Sequence, residues 1–273
     1  MFFNRTAKRE IFYKTDDEVE AIRISCLMVS DTLAHIASIL KPGKTGLQIN
    51  NSAEEFIRDM KAVPSFKNYN GFPSALCVSV NEQVVHGFPT DYAFQDGDIV
   101  SVDCGVFYNG FHGDSAYTFA IGDVNADTMR LLKVTRESLY KGIENAVEGK
   151  RIGDVSFAIE DHCKKYHFGI VRELTGHGIG RSLHEEPEVP NYGRRGSGLV
   201  LKSGLVIAIE PMVTLGKRDI ATLSDNWTIV TRDRKPAAHF EHTIVVRKQK
   251  ADILSDHSRV EDAVKNNQDL REI

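Results

Sequence analysis

Five residues of this sequence offer the same kind of chemistry: Asp103, Asp114, His177, Glu210 and Glu241 each place a hard donor in apolar or glycine-rich surroundings. Residues 99–119 form two strand-like stretches around Asn109-Gly110, the pair that a two-residue hairpin turn prefers. With Tyr108 opposite Phe111, counting back sets Gly105 opposite Asp114 and Asp103 two residues further along the same face. Diagonal positions of this kind lie about 7–8 Å apart at the backbone, so the two carboxylates can converge. Like charges that close call for a cation or a shared proton. Gly105 is expected to leave open space for such an ion. Taken singly, an aspartate in a hairpin is as readily just solvated. His177 lies in Thr175-Gly-His-Gly-Ile-Gly, and His184 follows seven residues later. Glycines permit close backbone approach, although a lone histidine is as well explained as a hydrogen-bonded core or surface residue. Glu210 closes the apolar run 205–209, and Glu241 sits within Ala238-His-Phe-Glu-His-Thr-Ile-Val-Val. Each glutamate, if buried, needs a partner, either an arginine or a metal. Four carboxylates and one histidine together are accounted for most economically by two divalent cations that share and activate one water. Such donors accept manganese, iron, cobalt or zinc alike.

The elements that must position these residues are partly legible. Thr15 with Glu18 forms a capping box, after which Val19, Ile22, Cys26, Val29, Leu33, Ile36 and Leu40 recur at spacings of three and four. This predicts one long amphipathic helix that stops at Lys41-Pro42-Gly43. A second box, Thr45 to Gln48, opens a shorter helix carrying Leu47, Phe56, Ile57 and Met60. Near Asp127 the plan restarts, with a helical run through Leu131, Leu132, Leu139 and Ile143 that ends at Gly149-Lys150, and a shorter helix around 155–163. Gly43 precedes Asp103 by about as many residues as Gly149 precedes Glu210, which suggests a duplicated, pseudo-symmetric α+β domain with the site between its halves. The catalytic domain is expected over residues 1–250, in halves of about 12–122 and 123–247. The polar tail 251–273 is expected to be mobile or surface-attached.

The 273 residues, 41% hydrophobic and 26% charged, are those of a globular chain with a sizeable core. The formal charge of −4 and the lack of a long basic run argue against nucleic acid as substrate. The charged start and the absence of an unbroken apolar stretch are read as no signal peptide and no membrane span. Cysteines 26, 77, 104 and 163 form no CxxC pair, which suits reduced thiols and a cytoplasmic location.

With these motifs in hand, the chain resembles the methionine aminopeptidases over residues 12–247. The resemblance is carried by NEQVVHGFP, DGDIVSVDCG, GFHGDSAYTF, GHGIGRSLHEEP, IAIEPM and HFEHTIVV. It implies the pita-bread fold, two related halves around a dinuclear metal site, with Asp103, Asp114, His177, Glu210 and Glu241 as ligands. It implies that His86 and His184 contact substrate near the scissile bond, and that Tyr69, Phe72, Cys77 and Trp227 line a methionine pocket. Leu183 departs from the phenylalanine that many relatives carry there. The short spacing from Glu210 to Glu241 and the lack of an additional N-terminal zinc-binding segment resemble the bacterial type I form.

The implied activity is removal of initiator methionine from nascent proteins at the ribosome by a monomer, with a small second residue preferred. In the reaction so implied, a metal-bridging water would give a proton to Glu210 and attack the first peptide bond as hydroxide. By the same rule this chain keeps its own Met1, because Phe2 is bulky. Three rivals stand beside this reading: an Xaa-Pro dipeptidase of the same fold, a binding protein that retains the fold without catalysis, and a structural metal site. Dipeptidases of this fold usually carry a further N-terminal domain, non-catalytic relatives lose ligands, and structural sites are typically sulfur-rich.

Overall fold

The structure, a computed structural model, describes residues 10–273. The expectation about Met1 and Phe2 lies outside the described residues. Helix α1, Asp16–Ile39, begins at the Thr15 cap: its hydroxyl accepts from the Glu18 amide, and the Glu18 carboxylate accepts from the Thr15 amide. The whole stripe from Val19 to Leu40 is buried. By length and composition α1 would also suffice to cross a membrane. Its apolar face is instead spent inside the domain, packed on the hairpin strands Ile99–Tyr108 and Phe111–Ile121.

Helix α2, Gly46–Asp59, starts at the Thr45 cap as expected, but its inward face is Ile49, Ala53 and Ile57. Leu47 is exposed, because it stands roughly 120° around the helix from that i, i+4 stripe. The duplication is visible in α3, Ala126–Ile143, and α4, Ile152–Lys164. Helix α3 ends at Ile143 rather than at Gly149, and Gly149 belongs to the turn before α4. That turn repeats the one before α2: Gly43 and Gly149 both take a positive φ, each three residues ahead of its helix. Gln48 accepts from the Thr45 amide just as Asp154 accepts from the Arg151 amide.

Each helix pair accompanies a sheet. The first sheet runs Val63–Pro64, Ile99–Tyr108, Phe111–Ile121, Leu270–Arg271, with Leu76–Val80 also paired to Ile99–Tyr108. The second runs Asp252–Ile253, His242–Val245, Val206–Ile209, Thr175–Gly178, Glu185–Pro190. Between Glu210 and Glu241 the chain forms short strands and no helix.

Residues 251–273 are firmly attached. They add a strand to each sheet, and between those strands α5, His257–Lys265, packs on α1. Leu254, Val260 and Val264 are buried, Arg259 pairs with Asp31, and the Asn267 side chain donates to the carbonyls of Ala37 and Leu40 at 2.7 Å each. Apolar residues spaced at helical intervals give an otherwise polar segment a face to bury.

Candidate metal centre and substrate pocket

The Asn109-Gly110 turn fixes the register read from the sequence: Tyr108 faces Phe111 and Gly105 faces Asp114. Asp103 lies on the same face, and on its other side it pairs with Cys77. Gly105 does not make room for an ion. A Cβ there would come within 2.7 Å of the Phe66 ring and 2.9 Å of Ser65 Cβ, so the missing side chain admits Phe66. The glycines around His177 likewise serve packing. A Cβ on Gly176 would meet the Ala208 carbonyl oxygen at 2.3 Å, and one on Gly178 the Glu186 carbonyl oxygen at 2.2 Å.

The second half supplies the rest. The His177 ring Nδ1 lies 2.9 Å from the Gly178 carbonyl oxygen, which can only accept, so Nδ1 carries the proton and Nε2 keeps its lone pair. That Nε2 points at Asp114 Oδ2, 3.9 Å away, and Glu210 Oε1, 3.6 Å away. Glu210 directly follows the strand Val206–Ile209, and Asn191 holds its carbonyl. Glu241 sits where the chain passes from Ala237–His239 into His242–Val245, its amide donating to the Ala116 carbonyl at 3.0 Å. This bond ties the second half to the hairpin strand that carries Asp114. His239, two residues before Glu241, comes within 3.4 Å of Glu210 Oε2 and was not among the expected site residues. The period-2 spacing of His239 and Glu241 was the available signal.

Burial pushes all four carboxyls above their ordinary range. For Asp114 and Glu241 the neighbouring carboxylates add to the rise, whereas His239 opposes it at Asp103. Asp103 Oδ1, Asp114 Oδ1 and Glu241 Oε1 are buried and have no hydrogen-bond partner among the described residues. Orphaned acceptors packed this densely are costly unless a cation satisfies them. Ligand atoms of Asp114, His177 and Glu241 all lie within 4.8 Å of one another. The residues therefore fit a divalent metal site of oxygen and imidazole donors. No arginine or lysine pairs with these carboxylates among the described residues, which removes the buried-arginine explanation for Glu210 and Glu241.

The cluster forms one wall of a cavity of about 400 Å³. The rest of its lining is largely apolar and aromatic: Phe66, Phe72, Cys77, Leu183 and Trp227, with Tyr69 packed against them. Asp225 accepts from the amides of Trp227 and Thr228 and so presents the indole, which packs edge-on against Phe72 at 5.2 Å between centroids. His86 follows the strand Gln83–Val85, which pairs with Ile229–Thr231, so Trp227 and His86 arrive together. His86 holds a left-handed backbone, φ 58°, a strained conformation for a non-glycine residue, and burial lowers its pKa to about 4. His184 stands at the rim, its Nδ1 2.7 Å from the Tyr69 hydroxyl and its ring 4.3 Å from that of His177. Thus the seven polar residues expected at the centre and the four of the pocket all line one cavity. Asn70, Val85, Glu173, Leu174, Thr175 and Met212 complete the wall without having been expected there.

Comparison with known proteins agrees with this geometry. Residues 20–248 match metallopeptidase family M24. The methionine aminopeptidase of Clostridium acetobutylicum is 46% identical over 246 residues, covering 90% of this chain and 98% of that one. The crystal structure of methionine aminopeptidase from Rickettsia prowazekii superposes with a TM-score of 0.89 at 38% identity, over 90% of this chain and all of its own. A prolidase from Pyrococcus furiosus, 22% identical with a TM-score of 0.74, shares the fold alone, and this chain spans 65% of it. The fold is the expected pita-bread fold, and a buried carboxylate cluster drawn from both halves sits between them. On both grounds the chain belongs to metallopeptidase family M24, within its methionine aminopeptidases.

Proposed function

We propose that this protein removes the initiator methionine from newly made polypeptides, with Asp103, Asp114, His177, Glu210 and Glu241 holding two divalent cations. The observation that carries the reading is the junction of partnerless buried carboxylate oxygens with an apolar, aromatic and sulfur-lined cavity. When bound, the cations would supply an acidified water and polarise the carbonyl to be attacked. The chain's own residues do the rest. Glu210 accepts the proton of the attacking water. His184 donates from Nε2 to the oxygen that gathers charge, its Nδ1 accepting from the Tyr69 hydroxyl. His86 orients the scissile amide and assists the leaving nitrogen. Phe72, Cys77, Trp227 and Tyr69 receive the thioether side chain, which favours soft, polarisable surfaces.

A preference for a small second residue, action as a monomer on nascent chains at the ribosome, and residence in the cytoplasm complete the proposal. All four cysteines are buried and unpaired, in keeping with a reducing compartment. The test is release of free methionine from Met-Ala-Ser and Met-Phe-Ser peptides by metal-depleted protein, with manganese, cobalt, iron or zinc restored one at a time. Metal-dependent release from the alanine peptide alone is expected. Failure of every metal to restore release would sink the catalytic reading in favour of a binding protein.

A further inference from the structure

Residues 251–273 lie beyond the stretch that matches the family, yet a buried side chain from them reaches the back of the metal centre. His257, the first residue of α5, is 3% exposed, and its Nε2 lies 3.0 Å from Ser115 Oγ. Ser115 Oγ in turn lies 2.6 Å from the Glu241 carbonyl oxygen. A hydroxyl has one proton, and the carbonyl can only accept it, so Nε2 of His257 must be the donor to Ser115. The bonds therefore run in one direction, from His257 to Ser115 to the backbone of Glu241.

Ser115 adjoins Asp114, so this chain clamps the strand of one candidate ligand to the backbone of another. Two further bonds close the clamp: Thr243 Oγ1 donates to the Asp114 carbonyl at 2.8 Å, and the Glu241 amide to the Ala116 carbonyl at 3.0 Å. The same added segment reaches the other neighbour of Glu241. The His242 ring lies over that of His257, 3.7 Å between centroids, and its Nδ1 is 2.7 Å from the Ser255 hydroxyl. Leu270, opposite Ile121, extends the sheet on the strand that bears Asp114.

We propose that the 251–273 segment is a working part of the metal centre, with His257 a positioning residue that fixes Asp114 relative to Glu241 through Ser115 and thereby tightens cation binding. The inference rests on the metal reading of the site. Groups that hold ligands in place commonly change metal affinity by about 10- to 100-fold when removed.

The test is calorimetric titration of manganese into the metal-depleted full chain, with a thermal melt of each variant. His257→Leu, which keeps bulk and loses the donor, is expected to bind about tenfold more weakly. His257→Gln, which restores an N–H donor, is expected to recover most of the affinity. Val260→Ala, which loosens α5 without touching Ser115, is expected to lower Tm and leave affinity unchanged. Wild-type affinity in His257→Leu, or equal weakening in Val260→Ala, would overturn the proposal. If His257→Leu does not fold, Ser115→Ala breaks the same chain from the other side, and unchanged affinity there is equally decisive. A wild-type protein that binds no cation would instead remove the metal reading itself.

Discussion

At the scale of single residues, the site depends on which atom of each side chain is left free. Glu210 has oxygens facing both His177 and His239, so its carboxylate is surrounded by imidazole rather than by arginine or lysine. Glu210→Gln is expected to reduce kcat by about 100-fold or more. The check is a rate measurement alongside metal content, because full activity with full metal would remove Glu210 as the proton acceptor. Tyr69→Phe deletes one hydroxyl, and with it the hydrogen-bond partner that holds the His184 ring at Nδ1. A single hydrogen bond of about 1 kcal/mol corresponds to a roughly fivefold fall in kcat/KM. Steady-state kinetics on Met-Ala-Ser with no change in Tyr69→Phe would deny His184 its proposed orientation. Asp103, Asp114, Glu210 and Glu241 stood out because charge is rare in apolar strands, and His177 because glycines flank it. His239 was not, because a histidine on a buried strand has many ordinary uses and only its spacing from Glu241 distinguished it.

At the scale of elements, legibility followed the strength of local chemistry. The Asn-Gly turn alone set ten cross-strand pairs correctly, because a two-residue loop leaves no freedom of register. The stripe of α1 was equally explicit. The far end of α3 was misread because the turn glycine, Gly149, lies six residues past the helix, and nothing in the intervening composition forbids another turn of helix. Gly105 was understood as a position without a side chain, but what fills the space is a matter of tertiary packing. Gly105→Ala is expected to push Phe66 and Ser65 apart, destabilising the protein by about 1–3 kcal/mol. Because Phe66 lines the cavity, KM for methionyl peptides should rise as well. Denaturant midpoints and KM both equal to the parent would show that the ring has room to retreat. The 251–273 segment was read as a tail from its polarity, although Asp256 as a cap and the spacing of His257, Val260 and Val264 already described a short amphipathic helix.

At the scale of the whole molecule, the two halves and the added segment meet at buried histidines, and this sets an acid limit on stability. Burial drives the His242 pKa down to about 3, against about 6.5 in an unfolded chain. Below pH 6.5 the unfolded chain takes up a proton that the folded chain refuses until near pH 3, so stability falls as pH drops through that window. Between pH 7 and pH 5 this ring alone removes about 2 kcal/mol. His242→Asn should flatten the pH dependence by that amount in denaturation curves at the two pH values, and parallel behaviour of variant and parent would contradict the assignment. The edge strand Leu270–Arg271 has a different consequence, one of timing. Residues 251–273 are translated after every residue of the metal centre, so a chain still being threaded from its ribosome has its ligands made while the face of α1 and the strand edge at Ala120 and Ile121 remain uncovered. Until that segment emerges these surfaces stay bare, so the ligands exist before the elements that cover the strand of Asp114.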